Sequence, residues 1–432
     1  MPEFLGILQI AYLYKLPVTY TSIYILLQVL YGCKVIGAFW WGVPEENFDG
    51  SFKQSFVLNY SKYTNLSTDN TTLVSVTPEV LHKRWEKVIE ICHRKGQISG
   101  KTFELAGIRS HGLSFCAVQK AGCTMWIRLS KYFEGQNYNT GNPMTLNKRM
   151  IHLQAPSLYK QFKDNQNDRL FIQHSLRAMT VRDPYSRLWS AYIDKFVLVD
   201  FWHTKGKHIV SMVRKNATSK ALKCGHDVTF SEFIEYVLNI GHDFKYLDQD
   251  KHWLPASDIC DPCVFKPHVI GKQESFKDDL IQTLKLVHLD DLIENLTSVD
   301  STEFEIKEEI DYNIWRYPSF NQCITKCELG ERIWRAFQYN GYLPLELNFP
   351  METCAESTKS VETFYKLVSD IRKEYNMTSE IKKVNRRKKI TEAYQQISDE
   401  NMEKLKRLYQ MDFEMFGYEA NPDFTRRSNI LK

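Results

Sequence analysis

The segment QKAGCT at residues 119–124 combines residue types that can bind an anion, and it follows an apolar run at residues 114–118. Lys120 supplies an ammonium group, Gly122 permits close approach of a ligand, and Thr124 opens a helical pattern. A strand that turns into a helix here directs backbone N–H groups and the positive helix end at one anion. The residue order is not that of the Walker motif. The segment predicts a phosphate-binding turn, although an ordinary turn with a surface lysine also fits.

A second basic residue, Arg182, stands about sixty residues later, directly after the apolar run at residues 178–181. Asp183 is a favourable N-cap and Pro184 a favourable first helical residue. From the Asp183 cap to Ser190 the helix turns by about 700°, at about 100° per residue. Ser190 therefore points within about 20° of the direction of the cap. Because a guanidinium matches phosphate with a fork of donors, Arg182 and Ser190 predict a second phosphate site.

Two strand–loop–helix units of this kind are typical of a parallel sheet covered by helices. Behind Arg182 a continuous apolar stripe occupies one helical face, at Tyr185, Leu188, Trp189, Tyr192, Ile193 and Phe196. A further helix is predicted from a capping box at Thr229 and Glu232, and a strand at residues 264–270. Because no Pro/Gly/Ser-rich break and no repeat intervene, a single α/β domain is expected at residues 77–432.

The composition excludes several classes of protein. The chain has 432 residues, of which 43% are hydrophobic and 25% charged, as in a globular protein and unlike a disordered, collagen-like or coiled-coil chain. Lys and Arg number 56 against 52 Asp and Glu, which gives a net charge of +4. So small an excess produces no overall field that favours a nucleic-acid partner. Any anionic ligand must therefore be held by a local site.

The N-terminal residues differ from the rest of the chain. Residues 16–33 carry no charge and apolar character resumes after Lys34, so residues 1–44 are predicted to form a cytoplasmic tip and a transmembrane signal anchor. A cleaved signal peptide and a buried hydrophobic helix are the alternatives. Residues 45–76 are predicted to be a glycosylated stem, because sequons cluster there at Asn59, Asn65 and Asn70. Glycans are added only in the secretory lumen, so the following domain is expected to be lumenal.

The two phosphate-binding segments resemble the cofactor-binding boxes of Golgi carbohydrate sulfotransferases of the chondroitin 4-O-sulfotransferase and HNK-1 sulfotransferase type. The first box is KAGCTxW from Lys120, and the second is VRDPYSRLxSAYxDKF from Val181. Further segments resemble the same family, namely HWxP, CxPC, GKxE and LYxxDFxxFGY, and the resemblance covers roughly residues 110–420. The chain departs from the family pattern at Gln119, where proline is usual, and beside Trp126. The loss of the proline removes no phosphate donor.

The resemblance implies an α/β, P-loop-like sulfotransferase fold with a central parallel sheet flanked by helices, preceded by an N-terminal transmembrane helix. It also implies a single-pass type II protein of the Golgi membrane with a lumenal catalytic domain. The implied sulfate donor is 3′-phosphoadenosine-5′-phosphosulfate (PAPS), and the implied acceptor is a glycan or glycosaminoglycan, chondroitin- or dermatan-like or ending in GalNAc or GlcA. No metal is expected, since an ammonium group can stabilise the departing charge.

The resemblance also implies roles for single residues. The cofactor-binding set comprises Lys120, Ala121, Gly122, Cys123 and Thr124 on the 5′-phosphate side of the donor, and Arg182 and Ser190 at its 3′-phosphate. Lys120 is expected to act in catalysis as well, by stabilising the bridging oxygen as sulfate departs. A general base must take the proton of the acceptor hydroxyl. In cytosolic and heparan-type sulfotransferases a histidine between the two boxes does so; His152 is therefore preferred, with His252 and His174 as alternatives.

Two further features allow alternative interpretations. Cys260 and Cys263 can form disulfides or bind zinc, and the oxidising lumen favours disulfides. Cys33 and Cys123, in the predicted anchor and cofactor loop, are expected to be free. The basic run at residues 382–389 fits either a binding site for an acidic glycosaminoglycan or a solvated helix face.

Two rival functions complete the sequence-based hypotheses. A phosphate-transferring, kinase-like enzyme on the same architecture is disfavoured, because the Walker order and a metal-holding Asp after a strand are lacking in the sequence. A glycan-binding protein that kept the fold but lost transfer is the other rival. The intact Lys120, Arg182 and Ser190 argue against it.

Overall fold

The computed structural model describes residues 78–99, 105–133, 142–152, 166–242 and 250–425. All of these residues belong to one compact unit within Thr68–Lys432. The predicted anchor at residues 1–44 and the predicted stem at residues 45–76 lie outside the described residues. In the described ranges, none of the helices combines the length and the apolar character that crossing a bilayer requires.

Four described strands form one sheet and lie side by side in chain order: β1 (Leu105–Ile108), β2 (Leu113–Cys116), β3 (Leu176–Val181) and β4 (Val269–Lys272). Strands β2, β3 and β4 are parallel, whereas β1 runs antiparallel to β2. The prediction of a central parallel sheet is therefore right for three strands and wrong for the first. Only residues 109–112 connect β1 to β2, and a parallel crossover needs about a dozen residues or more.

Helices make up most of the remaining described chain. In chain order they are α1 (Pro78–Lys95), α2 (Cys123–Phe133), α3 (Lys148–His152), α4 (Gln166–His174), α5 (Pro184–Tyr192), α6 (Lys207–Val213), α7 (Ser219–Cys224), α8 (Phe230–His242), α9 (Ala256–Ile259), α10 (Pro262–Phe265), α11 (Phe276–Leu286), α12 (Asp291–Thr297), α13 (Ser301–Arg316), α14 (Lys326–Tyr339), α15 (Cys354–Ser357), α16 (Val361–Glu374), α17 (Ser379–Tyr394), α18 (Asp399–Leu408) and α19 (Gln410–Phe416). The predicted capping box is confirmed, because Thr229 and Glu232 each accept the other's backbone N–H before α8.

The strand predicted at residues 264–270 is wrong in its first half. Pro262–Phe265 forms the short helix α10, and β4 starts only at Val269. The side chain of Asp261 caps α10 by accepting the amide of Cys263 at 2.9 Å, and Pro262 takes the first helical position. This Asp-Pro pair is the same helix-start signal as Asp183-Pro184, and here it prevailed over the apolar run.

The apolar core has two parts. One packs against the sheet and includes Phe115 of β2, Trp126 of α2 and Leu284 of α11. The other lies among α5, α8, α13, α14 and α16 to α19, and it contains the predicted stripe of α5 and the turn after it. Five members of that stripe are at most 3% exposed, namely Tyr185, Leu188, Trp189, Ile193 and Phe196. The helix that follows Arg182 is therefore anchored in the larger cluster along its whole apolar face.

Three disulfides join described segments: Cys92–Cys263, Cys224–Cys323 and Cys327–Cys354. Cys263 thus bonds to α1, so a disulfide is confirmed at this residue and the zinc alternative is wrong there. Cys123 forms no disulfide, as expected. Within the described ranges no group of three or more His, Cys, Asp or Glu side chains is arranged to hold a metal ion.

Candidate active site

The loop between β2 and α2 turns sharply at two residues with left-handed backbone. Lys120 has a φ of 64° and Gly122 a φ of 82°. A Cβ atom at Gly122 would lie 2.3 Å from the Phe276 ring of α11, so only glycine fits there. Left-handed backbone at a lysine costs about 1–3 kcal/mol and persists only where the surrounding structure holds it. The turn leads directly into α2, which begins at Cys123 with Thr124 in its first turn.

Two arginines from the second unit hold this loop in place. Arg182, which follows β3, donates from Nη1 to the carbonyl oxygen of Lys120 at 3.1 Å. Arg187 of α5, only 1% exposed, donates from Nε to the carbonyl oxygen of Gln119 at 2.8 Å. Its remaining nitrogens donate to carbonyl oxygens of the segment at residues 250–255. Because β2 and β3 are parallel, both loops leave the sheet at the same edge, and these bonds bring the two predicted segments together.

The other predicted donor-site residues lie in or next to these two units. Ala121 is buried within the loop. Burial raises the pKa of the Cys123 thiol, and the nearby Lys120 ammonium opposes this only in part, so the group remains a thiol at neutral pH. The carboxylate of Asp183 caps α5 by accepting the amide of Ser186 at 2.7 Å. Ser190 is half-buried about two turns beyond this cap, on the helix that was predicted to carry it.

The short 3₁₀ turn Gln273–Ser275, which follows β4, contributes Glu274 at the same sheet edge. The amide of Asp183 donates to Glu274 Oε1 at 3.2 Å, and the hydroxyl of Tyr418 donates to Oε2 at 2.9 Å. The ammonium of Lys272 lies 4.2 Å from the centroid of the Tyr418 ring. The GKxE and FGY segments of the sequence therefore meet beside the loop that carries Arg182.

A largely buried carboxylate, Asp194, lies close to three ammonium groups. It lies on a wider, π-helical turn, Ile193–Val197, that continues α5. Such turns are frequent at functional sites. Its oxygens lie 2.8 Å from Nζ of Lys120, 3.1 Å from that of Lys195 and 3.4 Å from that of Lys148. All four side chains are between 9% and 20% exposed, so the cluster is largely shielded from water.

These contacts fix the charge of the cluster. Burial alone would raise the pKa of Asp194, but the three ammonium groups hold that pKa well below its ordinary value. Burial would lower the pKa of Lys148, but Asp194 and the Glu309 carboxylate, 2.6 Å away, hold it well above its ordinary value. Lys195 is kept charged in the same way by Asp194 and by Asp200 at 2.5 Å. Asp194, Lys148 and Lys195 are therefore ionised at neutral pH.

His152 ends α3 and contacts the first turn of α2. Its Nε2 lies 3.3 Å from Oγ1 of Thr124. The side chain keeps an exposed surface, yet restricted hydration and the ammonium groups of Lys148 and Lys195 lower the pKa of His152 to about 3. The ring is thus neutral at physiological pH and can accept a proton. Because Lys148 stands one helical turn before His152, the ion pairs of that lysine also position the histidine.

The two alternative histidines lie in different surroundings. His252 has Nδ1 2.5 Å from the Asp250 carboxylate, and burial together with the charge of Lys195 lowers the pKa of its ring. It is therefore a neutral histidine near the charged cluster. His174 ends α4 just before β3 begins, so it lies at the opposite end of that strand from Arg182, about 20 Å away at about 3.3 Å per residue. The structure does not bring His174 to this edge.

Sequence reasoning did not single out the cluster around Asp194. Asp194 and Lys195 belong to the second box, so the motif contains them, but spacing alone assigns them no role. Lys148 and Glu309 carry no local signal at all, because 161 residues separate them in the chain. Only the folded arrangement, in which α13 packs against α3, brings them together.

A parallel sheet with two basic strand-to-helix turns at one edge is an arrangement for holding a polyanion. The comparison with known protein families agrees with this geometry. Residues 107–314 and 333–419 match the model of the Sulfotransferase family. Because these residues are more than half of the chain and include both basic turns, the protein belongs to the Sulfotransferase family.

Curated relatives carry more specific names. Carbohydrate sulfotransferase 11 of Danio rerio is 33% identical over 224 residues, which are 48% of this chain and 62% of the relative. Carbohydrate sulfotransferase 8 of Mus musculus is 34% identical over 184 residues, 41% of this chain and 42% of the relative. The chain thus spans less than two thirds of the length of these relatives. No solved structure matches the chain significantly. The resemblance to carbohydrate sulfotransferases that the sequence predicted is confirmed.

The charge cluster leads to a prediction about folding stability. Asp194→Asn leaves three ammonium groups facing one another without their shared counter-ion, and breaking a buried ion pair on one side costs about 3–5 kcal/mol. We expect the free energy of unfolding, measured by urea titration, to fall by about that amount. Asp311→Asn is the matched control, because it removes the more exposed pair with Arg149 and should change stability by no more than about 1 kcal/mol. Equal losses in the two variants would contradict the role given to Asp194.

Proposed function

We propose that this protein transfers the sulfuryl group of PAPS to a hydroxyl group of a glycan. The observation that carries the proposal is the meeting of Lys120, Thr124 and Arg182 at one edge of the parallel sheet, with Arg182 bonded to the carbonyl oxygen of Lys120 at 3.1 Å. Membership of the Sulfotransferase family supports the reaction class. The names of the relatives support a carbohydrate acceptor.

The residues at the edge fit a nucleotide that carries two phosphate groups. The glycine at 122 lets the loop pack directly against the Phe276 ring, where any Cβ atom would clash, and this packing helps to fix the loop that leads into α2. The N-terminus of α2 and the hydroxyl of Thr124 suit the 5′-phosphate side of the donor. Arg182 and Ser190 both belong to the second strand–loop–helix unit, which runs from β3 to α5. Together they suit the 3′-phosphate, because both can donate hydrogen bonds to it.

Lys120 is proposed to bind the donor and to stabilise the leaving group. PAPS supplies the sulfuryl group and a phosphate oxygen that becomes negative as the sulfuryl group departs. In the free protein the Lys120 ammonium lies 2.8 Å from Asp194, so the side chain is held close to the loop. A charge placed in advance stabilises the transition state without reorganisation at the moment of reaction.

His152 is proposed to accept the proton of the acceptor hydroxyl. Its ring is neutral in the free protein, since its pKa is lowered to about 3. A base with so low a pKa is weak, because efficient proton transfer needs a pKa near the working pH. The negative groups of a bound donor would raise the pKa of His152, because a nearby anion favours the imidazolium. His252, already oriented by Asp250, is the second candidate for the same task.

We further propose that the domain at residues 77–432 lies in the Golgi lumen, held by a single-pass type II anchor within residues 1–44. The three disulfides of the described residues support this placement, because disulfides persist in the secretory pathway and are rare in the cytosol. Two sequons of the domain, at Asn216 and Asn376, are exposed and therefore open to glycosylation.

A transfer assay tests the proposed function directly. With radiolabelled PAPS, we expect label in at least one acceptor of a panel of chondroitin, dermatan, GalNAc-capped and GlcA-capped glycans. Arg182→Ala should weaken calorimetric binding of adenosine 3′,5′-bisphosphate by about 1.5–3 kcal/mol, the usual loss for a hydrogen bond to a charged group. Nucleotide binding without transfer to any acceptor would favour the glycan-binding alternative. Phosphate transfer from ATP would favour the kinase-like one.

A variant series assigns the general base. His152→Ala should lower turnover by about 10²- to 10⁴-fold, the usual contribution of general-base catalysis, and leave nucleotide affinity nearly unchanged. Lys120→Ala should lower both quantities, since this residue is proposed to touch the donor before and during transfer. His174→Ala serves as the control, because it lies at the other end of β3. Near-normal turnover of His152→Ala, with loss of turnover in folded His252→Ala, would transfer the role to His252.

Glycosylation tests the lumenal placement. Protein expressed in animal cells should move faster on a gel after treatment with an endoglycosidase, because exposed sequons in the secretory lumen acquire glycans. Replacing Asn216 and Asn376 by Gln should reduce the shift, whereas replacing the exposed Asn348, which is outside any sequon, should leave it unchanged. If the protein without substitutions shows no shift, the result would place the domain in the cytosol instead.

A further inference from the structure

Helix α1 presents a row of basic side chains beside β4. Lys83, Lys87 and Arg94 share one face of this helix, because at about 100° per residue they point within about 40° of one direction. A cavity of about 240 Å³ lies between this face, β4 and the end of α19. A water molecule takes about 30 Å³ of the liquid, so the cavity can hold more than a single ion.

The lining of this cavity is cationic. None of its lining residues is acidic, and four are basic, namely Lys83, Arg84, Lys87 and Lys272. Arg84 is already engaged, because its Nη1 lies 2.8 Å from the carboxylate of Asp279. Lys83 pairs with the exposed Glu79 at 2.7 Å. The other two ammonium groups therefore determine which ligand the cavity can bind.

Lys87 and Lys272 form no ion pair with a carboxylate of the described residues, and they meet at the turn that ends α19. A Cβ atom at Gly417 would lie 3.1 Å from Nζ of Lys87. Nζ of Lys272 lies 4.2 Å from the centroid of the Tyr418 ring. Two like charges thus lie against consecutive residues. Burial and the neighbouring charges of Arg84 and Lys87 lower the pKa of Lys272, so an anion here would relieve an existing repulsion.

The rest of the cavity lining includes apolar side chains, among them Val80, Ile270 and Phe416. Apolar surface with a few convergent charged groups is typical of ligand sites. A sugar ring that bears a carboxylate suits this lining. Its C–H groups can pack on the apolar side chains, while its carboxylate accepts hydrogen bonds from the ammonium groups.

The cavity lies beside the sheet edge that carries the candidate donor site. Lys272 ends β4, and the hydroxyl of Tyr418 donates to Glu274, which also accepts the amide of Asp183 next to Arg182. Strand β4 is two strands away from β2, which is about 10 Å at about 4.8 Å per strand. A chain of several sugars can span such a distance, whereas a single sugar cannot.

A second cavity, of about 500 Å³, adjoins the first along α1 and shares Lys87 with it. Arg94 and Lys95 also line it, against the carboxylates of Glu90 and Glu414. Lys95 pairs with Glu414 at 3.2 Å. Three basic side chains against two acidic ones leave the lining positive. The two cavities together form a basic groove along α1, lined by Lys83, Arg84, Lys87, Arg94, Lys95 and Lys272.

We propose that the basic groove along α1 binds carboxylate-bearing sugars of the acceptor, so that the protein prefers a polyanionic glycan chain to a neutral, GalNAc-capped glycan. The proposal rests on the proposed function and deepens it by choosing among its acceptors. An acidic sugar held in the groove tethers the chain beside the donor site. A hydroxyl group further along the same chain is then held at a raised local concentration near the reacting groups.

The basic run at residues 382–389 is the competing location for an acidic chain. Five of its six basic side chains already have contacts among the described residues. Lys383 and Lys389 pair with nearby glutamates, Lys382 and Arg387 lie over aromatic rings, and Arg386 donates to Asn340. Only the exposed Lys388 is left without such a contact in this part of the structure. The groove along α1, with Lys87 and Lys272 side by side, is therefore the better match for a carboxylate.

Transfer kinetics with unsulfated chondroitin, whose charged groups are carboxylates, test the proposal. Lys87→Gln should raise KM for chondroitin by about two- to fivefold, because one exposed ion pair is lost. It should leave kcat, KM for PAPS and KM for a neutral GalNAc-capped glycan unchanged. Lys87→Arg, which keeps the charge, should stay within about twofold of the unsubstituted protein. The matched control is Lys223→Gln, which removes an exposed positive charge from α7, a helix that packs into the larger core cluster.

Four results would overturn the proposal: an unchanged KM for chondroitin in Lys87→Gln, an equal rise in Lys223→Gln, a rise in Lys388→Gln alone, or a raised KM for PAPS in Lys87→Gln. The third would place the chain on α17, and the fourth would assign the groove to the donor. Transfer to neutral glycans only would overturn the groove's role and leave the proposed function intact. If no acceptor is sulfated, the proposed function fails, and calorimetric binding of chondroitin to the same variants still decides whether the groove holds the chain.

Discussion

The carboxylate of Asp194 is the group on which the arrangement of the site depends, because it holds lysines from three separate segments of the chain. Lys120 comes from the loop after β2, Lys148 from the start of α3, and Lys195 from the same turn as Asp194. A buried ion pair is weak support for stability, since desolvation offsets much of the Coulomb attraction. Its effect here is positional: it keeps positive charges close together that would otherwise repel one another. The result is a prearranged cationic site.

The arginines complete this arrangement by acting on the backbone. Arg182 and Arg187 donate to consecutive carbonyl oxygens of the loop, those of Lys120 and Gln119. These bonds stabilise the left-handed backbone of Lys120, which is unfavourable by itself. The same loop has to pass the Phe276 ring, which only glycine at 122 allows. The side chain of Lys120 is therefore aimed by backbone bonds on one side and by Asp194 on the other.

Local signals of the sequence predicted the local features of the fold. Asp183-Pro184 and the Thr229 capping box mark helix starts because they satisfy backbone N–H groups within the next few residues. Features that depend on distant partners were missed: the bond from Cys263 to Cys92, 171 residues away, and the contact of Glu309 with Lys148. No local pattern encodes which distant segment packs against which. Even the apolar run at residues 264–270 misled, because burial in a short helix and in a strand select the same residue types.

Under the proposed function, the contacts of Lys120 and the pKa of His152 both depend on whether the donor is bound. Without an anion nearby, Lys120 is engaged by Asp194, and His152 is too weak a base to be effective, because restricted hydration and the charges of Lys148 and Lys195 lower its pKa. A bound polyanion offers Lys120 a second partner and raises the pKa of His152 at the same time. Coupling of this kind is reciprocal, so a protonated His152 also strengthens binding of the anion. Under the proposed function, the charge of the donor thus prepares both Lys120 and His152 for transfer.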